Sequence, residues 1–217
     1  MVRMLILSSR AEWLQMRRSY IGGSEAASVV GMNPYRTNVD LWELKTGRKS
    51  AEDISGNPFV QYGTNAERFL RDLFALDFPQ YRVEYEEHNI WLNSDFPFAH
   101  ASLDGWMTDR DGNKGILEIK TTNIQNALMK EKWNDRIPDN YYVQVLHYLM
   151  VTGFDFAILK AQLKWDYGNG DVTLSTRHYY IDREECKEDI EILIESERKF
   201  AECIATDKRP ALILPNV

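Results

Sequence analysis

Asp104 and the run Glu118-Ile119-Lys120 set two carboxylates and one ammonium close enough in sequence for a strand hairpin to gather them. Carboxylate oxygens suit hard cations such as Mg²⁺, which keeps several waters and takes one or two protein carboxylates beside a substrate phosphate. A lysine next to them can hold or activate the attacking water. The chemistry in reach is metal-assisted hydrolysis of a phosphodiester, so the segment reads as a nuclease centre. The bland reading of the same residues is a turn-capping Asp104 and an ionic edge-strand face at Glu118 and Lys120.

Strand periodicity tests whether the three can meet. In Gly115-Ile116-Leu117-Glu118-Ile119-Lys120 the side chains of Glu118 and Lys120 are two apart and share a face, while Leu117 and Ile119 turn to the other, toward a core. Ala99–Leu103 reads as the partner strand, and Asp111-Gly112 is a strong turn signal between the two. A two-residue loop there would pair Asp104 with Ile119 and aim its carboxylate at the wrong face, because side chains alternate with a period of two. The spacing therefore predicts an irregularity, either an odd-numbered loop or a bulge, for which Gly105 is the natural place.

The elements that must carry these residues follow from the rest of the chain. Helical signals cover 10–18, and Ser24 is placed to cap a short helix through Val30 that ends at Gly31. Asn33-Pro34-Tyr35 turns into a helix over Val39–Thr46, stopped by Gly47. From Thr64 to Leu76 the apolar positions Ala66, Phe69, Leu70, Leu73 and Phe74 run at helical spacing, with Glu67 beside them. Val83–Leu92, Ala99–Leu103, Gly115–Lys120, Phe156–Leu163 and Leu174–Ile181 read as strands, with helices at about 123–133 and 139–152 after the third and a last helix at about 183–206. This order predicts an α/β (α+β) chain with a central mixed sheet flanked by helices. The apolar tail Pro210–Pro215 is expected to pack on its own domain.

Composition narrows the classes. At 217 residues, with 44% hydrophobic and 27% charged side chains, the chain suits one folded domain over 1–217, and no repeat, low-complexity tract or linker divides it. Met4–Leu7 is too short for a signal peptide or a membrane span, so a cytoplasmic protein is expected. Cys186 and Cys203 on one helix would lie about 25 Å apart at 1.5 Å per residue, which predicts free thiols, and two cysteines exclude a four-cysteine zinc or iron–sulfur site. The formal charge of −7 is uneven: residues 1–50 carry eight Lys/Arg against four Asp/Glu, and the acid concentrates in Glu84–Glu87 and 183–202, which read as solvated faces. His100 and His147 lack the spacing of a zinc motif and read as packing residues. Trp13 and Trp42 read as core rather than base-stacking platforms, Tyr148 as core or rim packing, and Gly22 and Gly23 as a turn requirement.

Four motifs in this order carry a resemblance. The first is Trp13-x3-Arg17-x3-Ile21-Gly22-Gly23-Ser24-Glu25, continuing into Gly31-Met32-Asn33-Pro34-Tyr35 and Leu41-Trp42. Gly63-Thr64-Asn65-Ala66-Glu67 is the second, and Asp104 with Glu118-x-Lys120 the third. The fourth is Tyr141-Tyr142-Val143-Gln144-Val145-Leu146-His147-Tyr148, ending at Val151-Thr152-Gly153. Together they resemble the YqaJ-like phage recombination exonucleases, the bacteriophage lambda exonuclease family within the PD-(D/E)xK nuclease superfamily. Leu103 stands where the superfamily signature has proline.

The resemblance implies a restriction-endonuclease-like core and a Mg²⁺-dependent 5′-to-3′ double-stranded DNA exonuclease, with Mn²⁺ as a substitute metal. Such an enzyme releases mononucleotides and leaves a 3′ single strand for recombination by strand annealing. It also implies roles. Asp104, Glu118 and the Ile119 carbonyl hold Mg²⁺, Glu67 serves a second ion or its waters, Lys120 orients or deprotonates the water, and Gln144 fixes water or phosphate. Arg17, Ser24 and Ser102 bind a terminal 5′-phosphate. The family precedent adds a ring-shaped trimer around double-stranded DNA ends and a phage single-strand annealing protein as partner, with no role for a membrane. Two alternatives stand beside this reading: an endonuclease or single-strand-preferring nuclease of the same superfamily, and a catalytically silent DNA-end-binding scaffold.

Overall fold

In the computed structural model, which describes residues 1–168 and 170–214, short capped elements deliver the chain to two sheets. β1 (Val2–Ile6) leads into α1 (Arg10–Arg18), where the Ser9 side chain accepts the Glu12 N–H. After β2 (Ile21–Gly22) and α2 (Gly23–Val29), a Thr37/Asp40 capping box opens α3 (Asn38–Lys45). α4 (Pro58–Asp77) starts earlier than its apolar stripe, because Asn57 caps it and Pro58 suits the first turn. Then come β3 (Arg82–Glu84), β4 (Asn89–Asn93), β5 (Ala99–Ala101), β6 (Gly105–Thr108), β7 (Lys114–Asn123), α5 (Ala127–Glu131) and α6 (Asp139–Thr152). β8 (Phe156–Asp166), β9 (Val172–Asp182) and α7 (Lys187–Ala205) complete the described elements.

The expected central mixed sheet is present as a five-stranded sheet ordered β3-β6-β7-β8-β9, in which β7 and β8 run parallel and the other pairs antiparallel. A parallel pair needs a long crossover, and α5 with α6 supplies it. A second mixed sheet, β1-β4-β5-β2, stands beside it. The sequence reading missed this division for a physical reason. Val83–Leu92 looks continuous, but the chain breaks after Glu84, passes through His88 at φ 59°, and sends β3 and β4 to different sheets. It changes sheet again between β5 and β6, across Ser102–Asp104. β1 and β2 were not read as strands; β2 has only two residues, too few for a periodic signal.

The two faces of the larger sheet are covered by different helices. Leu70 and Phe74 of α4 pack with Leu117, Ile119, Phe156 and Ile158. On the other face Val145, Leu146 and Leu149 of α6 pack with Ile116, Leu159, Ala161 and Leu163. Each fully buried Leu or Phe contributes about 1.5–3 kcal/mol of transfer free energy. Leu117 and Ile119 thus lie on the opposite face from Glu118 and Lys120, as alternation predicts. α6 is buried from Val143 to Thr152 because α2 and α7 close over its outer side.

Helix ends account for two further corrections. The helix expected over 123–133 shrinks to α5 because β7 keeps pairing with β8 as far as Asn123 opposite Lys164. α7 begins at Lys187 rather than 183, since the Asp182 carboxylate takes the Glu184 N–H at 2.8 Å and holds the preceding turn. Cys186 and Cys203 are free thiols. The tail packs on its own chain through Asn38, whose side chain bonds Ala211 O at 2.7 Å and the Ile213 N–H at 3.0 Å. Pro215 lies outside the described residues. No helix among the described residues is long and apolar enough to cross a membrane.

Candidate active site

Register decides which carboxylates can meet. β6 and β7 pair from Gly105 with Leu117 to Thr108 with Lys114, leaving a five-residue loop, Asp109–Asn113. Of the two irregularities considered, the odd loop is the one present; Gly105 pairs regularly and forms no bulge. One step further along the register, Asp104 falls level with Glu118, on the required side. Asp109 builds the loop by accepting the Asp111 and Asn113 N–H groups, each at 2.9 Å, and Gly112 at φ 91° supplies a conformation that L side chains avoid. The Asp104 carboxylate is anchored in turn by the Ile119 N–H at 2.9 Å.

Around Glu118, which is 1% exposed, the other groups converge. Its Oε1 accepts from Lys120 Nζ at 2.7 Å and from Gln144 Nε2 at 2.7 Å. Gln144 reaches it from α6 and also donates to the Tyr148 hydroxyl at 2.8 Å. Tyr148 is therefore more than packing, since it orients the amide that touches Glu118. Gly23 makes room for it: a Cβ there would lie 2.4 Å from the Tyr148 ring. The requirement at Gly22 and Gly23 is close approach rather than a turn, since the Gly22 backbone sits at φ −103° and a Cβ would meet His100 at 2.6 Å. Glu67 arrives from α4 and pairs with Arg71 Nη1 at 3.1 Å, and the same nitrogen donates to the Asp104 carbonyl. Lys120 Nζ lies 5.0 Å from the Tyr141 ring centre.

The electrostatics of this set are strained in one direction. Burial pushes Glu118 up to about 8, with Asp104 adding to the rise and Lys120 opposing it. Glu67 is pushed up to about 7, first by desolvation and then by Asp104, against the pull of Arg71. Desolvation also raises Asp104, against the pull of Lys120, the Ile119 N–H and Arg71. For Lys120 burial acts downward, but Glu118 and Asp104 outweigh it and the net shift is upward. Facing these carboxylates, Lys120 holds its proton and acts as a charged donor.

The residues fit a hard divalent cation. Glu118 Oε2 is buried with no hydrogen-bond partner, beside a second carboxylate and among groups whose negative charge is held back by burial. All the candidate donors are oxygen. Among the described residues no group of three or more His, Cys, Asp or Glu side chains is gathered as ligands for one ion, and one Glu67 oxygen is taken up by Arg71.

The three residues expected at a 5′-phosphate fall in two adjoining regions. Ser102 lies in the crossing between the sheets, with its Oγ buried and without a hydrogen-bond partner. Arg17, at the end of α1, has its guanidinium 4.1 Å from the Trp13 ring centre and lies within electrostatic reach of His100 and Tyr148. Ser24 is exposed in the first turn of α2 and is not its cap; Gly22 holds that position, and the Glu25 carboxylate takes the Gly22 N–H at 3.0 Å. Trp42 is core, 5% exposed, with Nε1 donating to Cys203 O. His147 is satisfied between Glu197 and the His100 carbonyl. Sequence reasoning missed Arg71, although its i,i+4 spacing from Glu67 was visible.

An Asp and a Glu-x-Lys carried by a mixed sheet with helices on both faces define the PD-(D/E)xK-like class. Residues 12–155 match the family model of the YqaJ-like viral recombinase domain, and the chain belongs to that family. A protein of Bacillus subtilis (strain 168) named "Uncharacterized protein YqaJ" is 35% identical over 150 residues, covering 68% of this chain and 44% of that protein. The chain thus spans under half the length of this relative. In shape it is similar to LHK-Exo, an alkaline exonuclease from Laribacter hongkongensis, with a TM-score of 0.63 at 18% identity over 92% of this chain and 96% of that one. The LHK-Exo complex with dAMP gives 0.64 at 17% identity, with the same coverage. A phage related exonuclease from Haemophilus somnus 129PT gives 0.50 at 11% identity, over 89% of this chain and 98% of that one. These likenesses establish a shared fold.

Proposed function

We propose that the chain is a Mg²⁺-dependent nuclease that digests double-stranded DNA from its ends in the 5′-to-3′ direction, releasing mononucleotides. The observation that carries this reading is the surplus of carboxylate gathered around the buried Glu118. Among the described residues the cations that pair with Glu67 and Glu118 are Arg71 and Lys120, and Glu118 Oε2 has no donor. Asp104, Glu118 and the Ile119 carbonyl would hold Mg²⁺ or Mn²⁺, with Glu67 serving a second ion or its waters. The cation, when bound, supplies charge for the scissile phosphate and acidifies water. Lys120, kept protonated, donates to the attacking water and sets its line of approach. Gln144 has its Nε2 committed to Glu118 and Tyr148, which leaves its carbonyl oxygen to accept from a water at the same place. Arg17 and the Ser102 hydroxyl, with Ser24 at the rim, would bind a terminal 5′-phosphate and give the polarity.

The product strand would pass to a phage single-strand annealing protein in a host bacterial cytoplasm, and a ring trimer would enclose the duplex and make digestion processive. The net charge of −7 is no obstacle, since the first 50 residues, which carry Arg17, are net basic.

The deciding experiment is digestion of end-labelled duplex with Mg²⁺ by wild type and by Lys120→Ala. Mononucleotide release that falls about 10²-fold or more in the variant is expected. Equal rates in the two proteins, or no digestion by either, would overturn the reading. Cutting of a covalently closed circle would select the endonuclease alternative, and end binding without Mg²⁺-stimulated release the scaffold. Faster digestion of 5′-phosphorylated than 5′-hydroxyl ends, with the difference lost in Arg17→Ala, tests the phosphate pocket.

A further inference from the structure

Arg71 is 8% exposed, one of the buried charged side chains of the molecule, yet no motif assigned it a task. Its Nη1 forks between two oxygens, Glu67 Oε1 at 3.1 Å and the main-chain carbonyl of Asp104. The guanidinium sits over Tyr85, with its carbon 3.6 Å from the ring centre. Gly105 borders it from the sheet, where an added Cβ would come 3.4 Å from Arg71 Cδ. One side chain therefore ties together α4, the start of β6 and the segment between β3 and β4.

We infer that Arg71 is a positioning residue that sets Glu67 relative to Asp104, so that a carboxylate from a helix is held beside one from a sheet crossing, where it serves the second ion or its waters. The inference rests on the nuclease reading above and deepens it. The physical reason lies in how differently the two carboxylates are held. Asp104 is fixed by the sheet through the Ile119 N–H, whereas Glu67 stands on α4, whose packing on β7 fixes the helix but leaves a three-torsion side chain free. A guanidinium held over an aromatic ring fixes the nitrogen that both oxygens share, and so removes this freedom. A lysine would keep the positive charge and lose the stacking that fixes the shared donor. Arg71 touches neither phosphate nor water in this scheme, and it acts through Glu67.

The test compares wild type with Arg71→Lys, Glu67→Gln and the double variant. Mn²⁺ binding is followed by calorimetry, and the Mg²⁺ concentration for half-maximal duplex digestion is measured in parallel. Loss of an outer-shell partner costs about 10–100-fold in metal affinity, so Arg71→Lys is expected to weaken the affected Mn²⁺ site by about tenfold and raise the Mg²⁺ requirement similarly. The double variant should be no worse than Glu67→Gln alone. Tyr85→Leu, which removes the clamp while leaving the guanidinium, should give a smaller loss of the same kind and covers the case that Arg71→Lys does not fold. Mn²⁺ affinity unchanged in both Arg71→Lys and Tyr85→Leu, or additive losses in the double variant, would overturn the inference while the nuclease reading stands. A wild type that neither binds Mn²⁺ nor digests DNA would overturn the nuclease reading and this inference with it.

Discussion

Glu118 and Glu197 are both buried, each takes a hydrogen bond at one oxygen, and each leaves its second oxygen without a partner. Both are reached from α6, by Gln144 on one side and His147 on the other. At Glu197 one acid meets one base: His147 Nδ1 is 2.7 Å from its Oε1, and Nε2 is 2.8 Å from the His100 carbonyl. Both ring nitrogens face acceptors, so the ring carries both protons. Burial acts to lower His147, but Glu197 more than compensates and the net shift is upward. Around Glu118 the balance fails, because Asp104 and Glu67 add negative charge that Lys120 and Arg71 do not fully match. A matched buried pair joins helices, whereas an unmatched set keeps its charge for a ligand.

The sharpest way to break this comparison is to neutralise each glutamate. Glu118→Gln should lower the initial rate of duplex digestion on the order of 10³-fold while leaving the melting temperature equal or higher, since a carboxyl that is costly to ionise where it is buried is replaced by a neutral amide of the same shape. Glu197→Gln should do the reverse. Denaturant unfolding should show a loss of about 3–5 kcal/mol, because the buried His147 loses the counter-charge that offsets its desolvation, with digestion per folded molecule changed only a few-fold. If Glu197→Gln abolished digestion in fully folded protein, the two regions would not be separable.

pH sharpens the contrast further. Glu118 rises from its ordinary 4.5 to about 8 and Glu67 to about 7. Between those limits the unfolded chain has released protons that the folded chain still holds, so stability is lost as pH rises through the window. Thermal melts without divalent cations should fall in midpoint from pH 5 to pH 8, excess Mg²⁺ should reduce the fall, and Glu118→Gln should flatten it. A midpoint that climbs over the same range in wild type, and equally in the variant, would show that other groups govern it.

The smallest expected effect concerns the support of Gln144. Gly23→Ala would drive a methyl to 2.4 Å from the Tyr148 ring and displace the hydroxyl that holds the amide. Overpacking of this kind costs about 1–3 kcal/mol, and digestion should fall severalfold with it. Chemical denaturation read beside the digestion rate checks both.

Much of the arrangement was legible in local pattern. Alternation sorted Glu118 and Lys120 from Leu117 and Ile119, helical spacing placed Glu67 beside the stripe that packs on the sheet, and parity arithmetic required an irregularity between Asp104 and Glu118. The reading could not choose between bulge and odd loop, because Gly105 and Asp111-Gly112 are both permissive. It took Val83–Leu92 as one strand, because a change of sheet leaves no mark on alternation. Ser24 looked like a cap, but the cap is Gly22 and the helix starts two residues earlier because the Glu25 carboxylate can take the Gly22 N–H.

What the sequence by itself determined is the kind of chemistry, two carboxylates and a lysine on strands of known parity, together with membership of a recombinase family through motifs in order. Only the tertiary structure decided that Asp104 comes level with Glu118, that Arg71 spans 33 residues to reach its carbonyl, and that Gln144 is steered by Tyr148 in space left by Gly23. Periodicity is a property of neighbouring residues, governed by backbone geometry, and can be read in one dimension. Charge balance in a buried site depends on which distant groups the packing brings together, and that is settled only when the chain is folded.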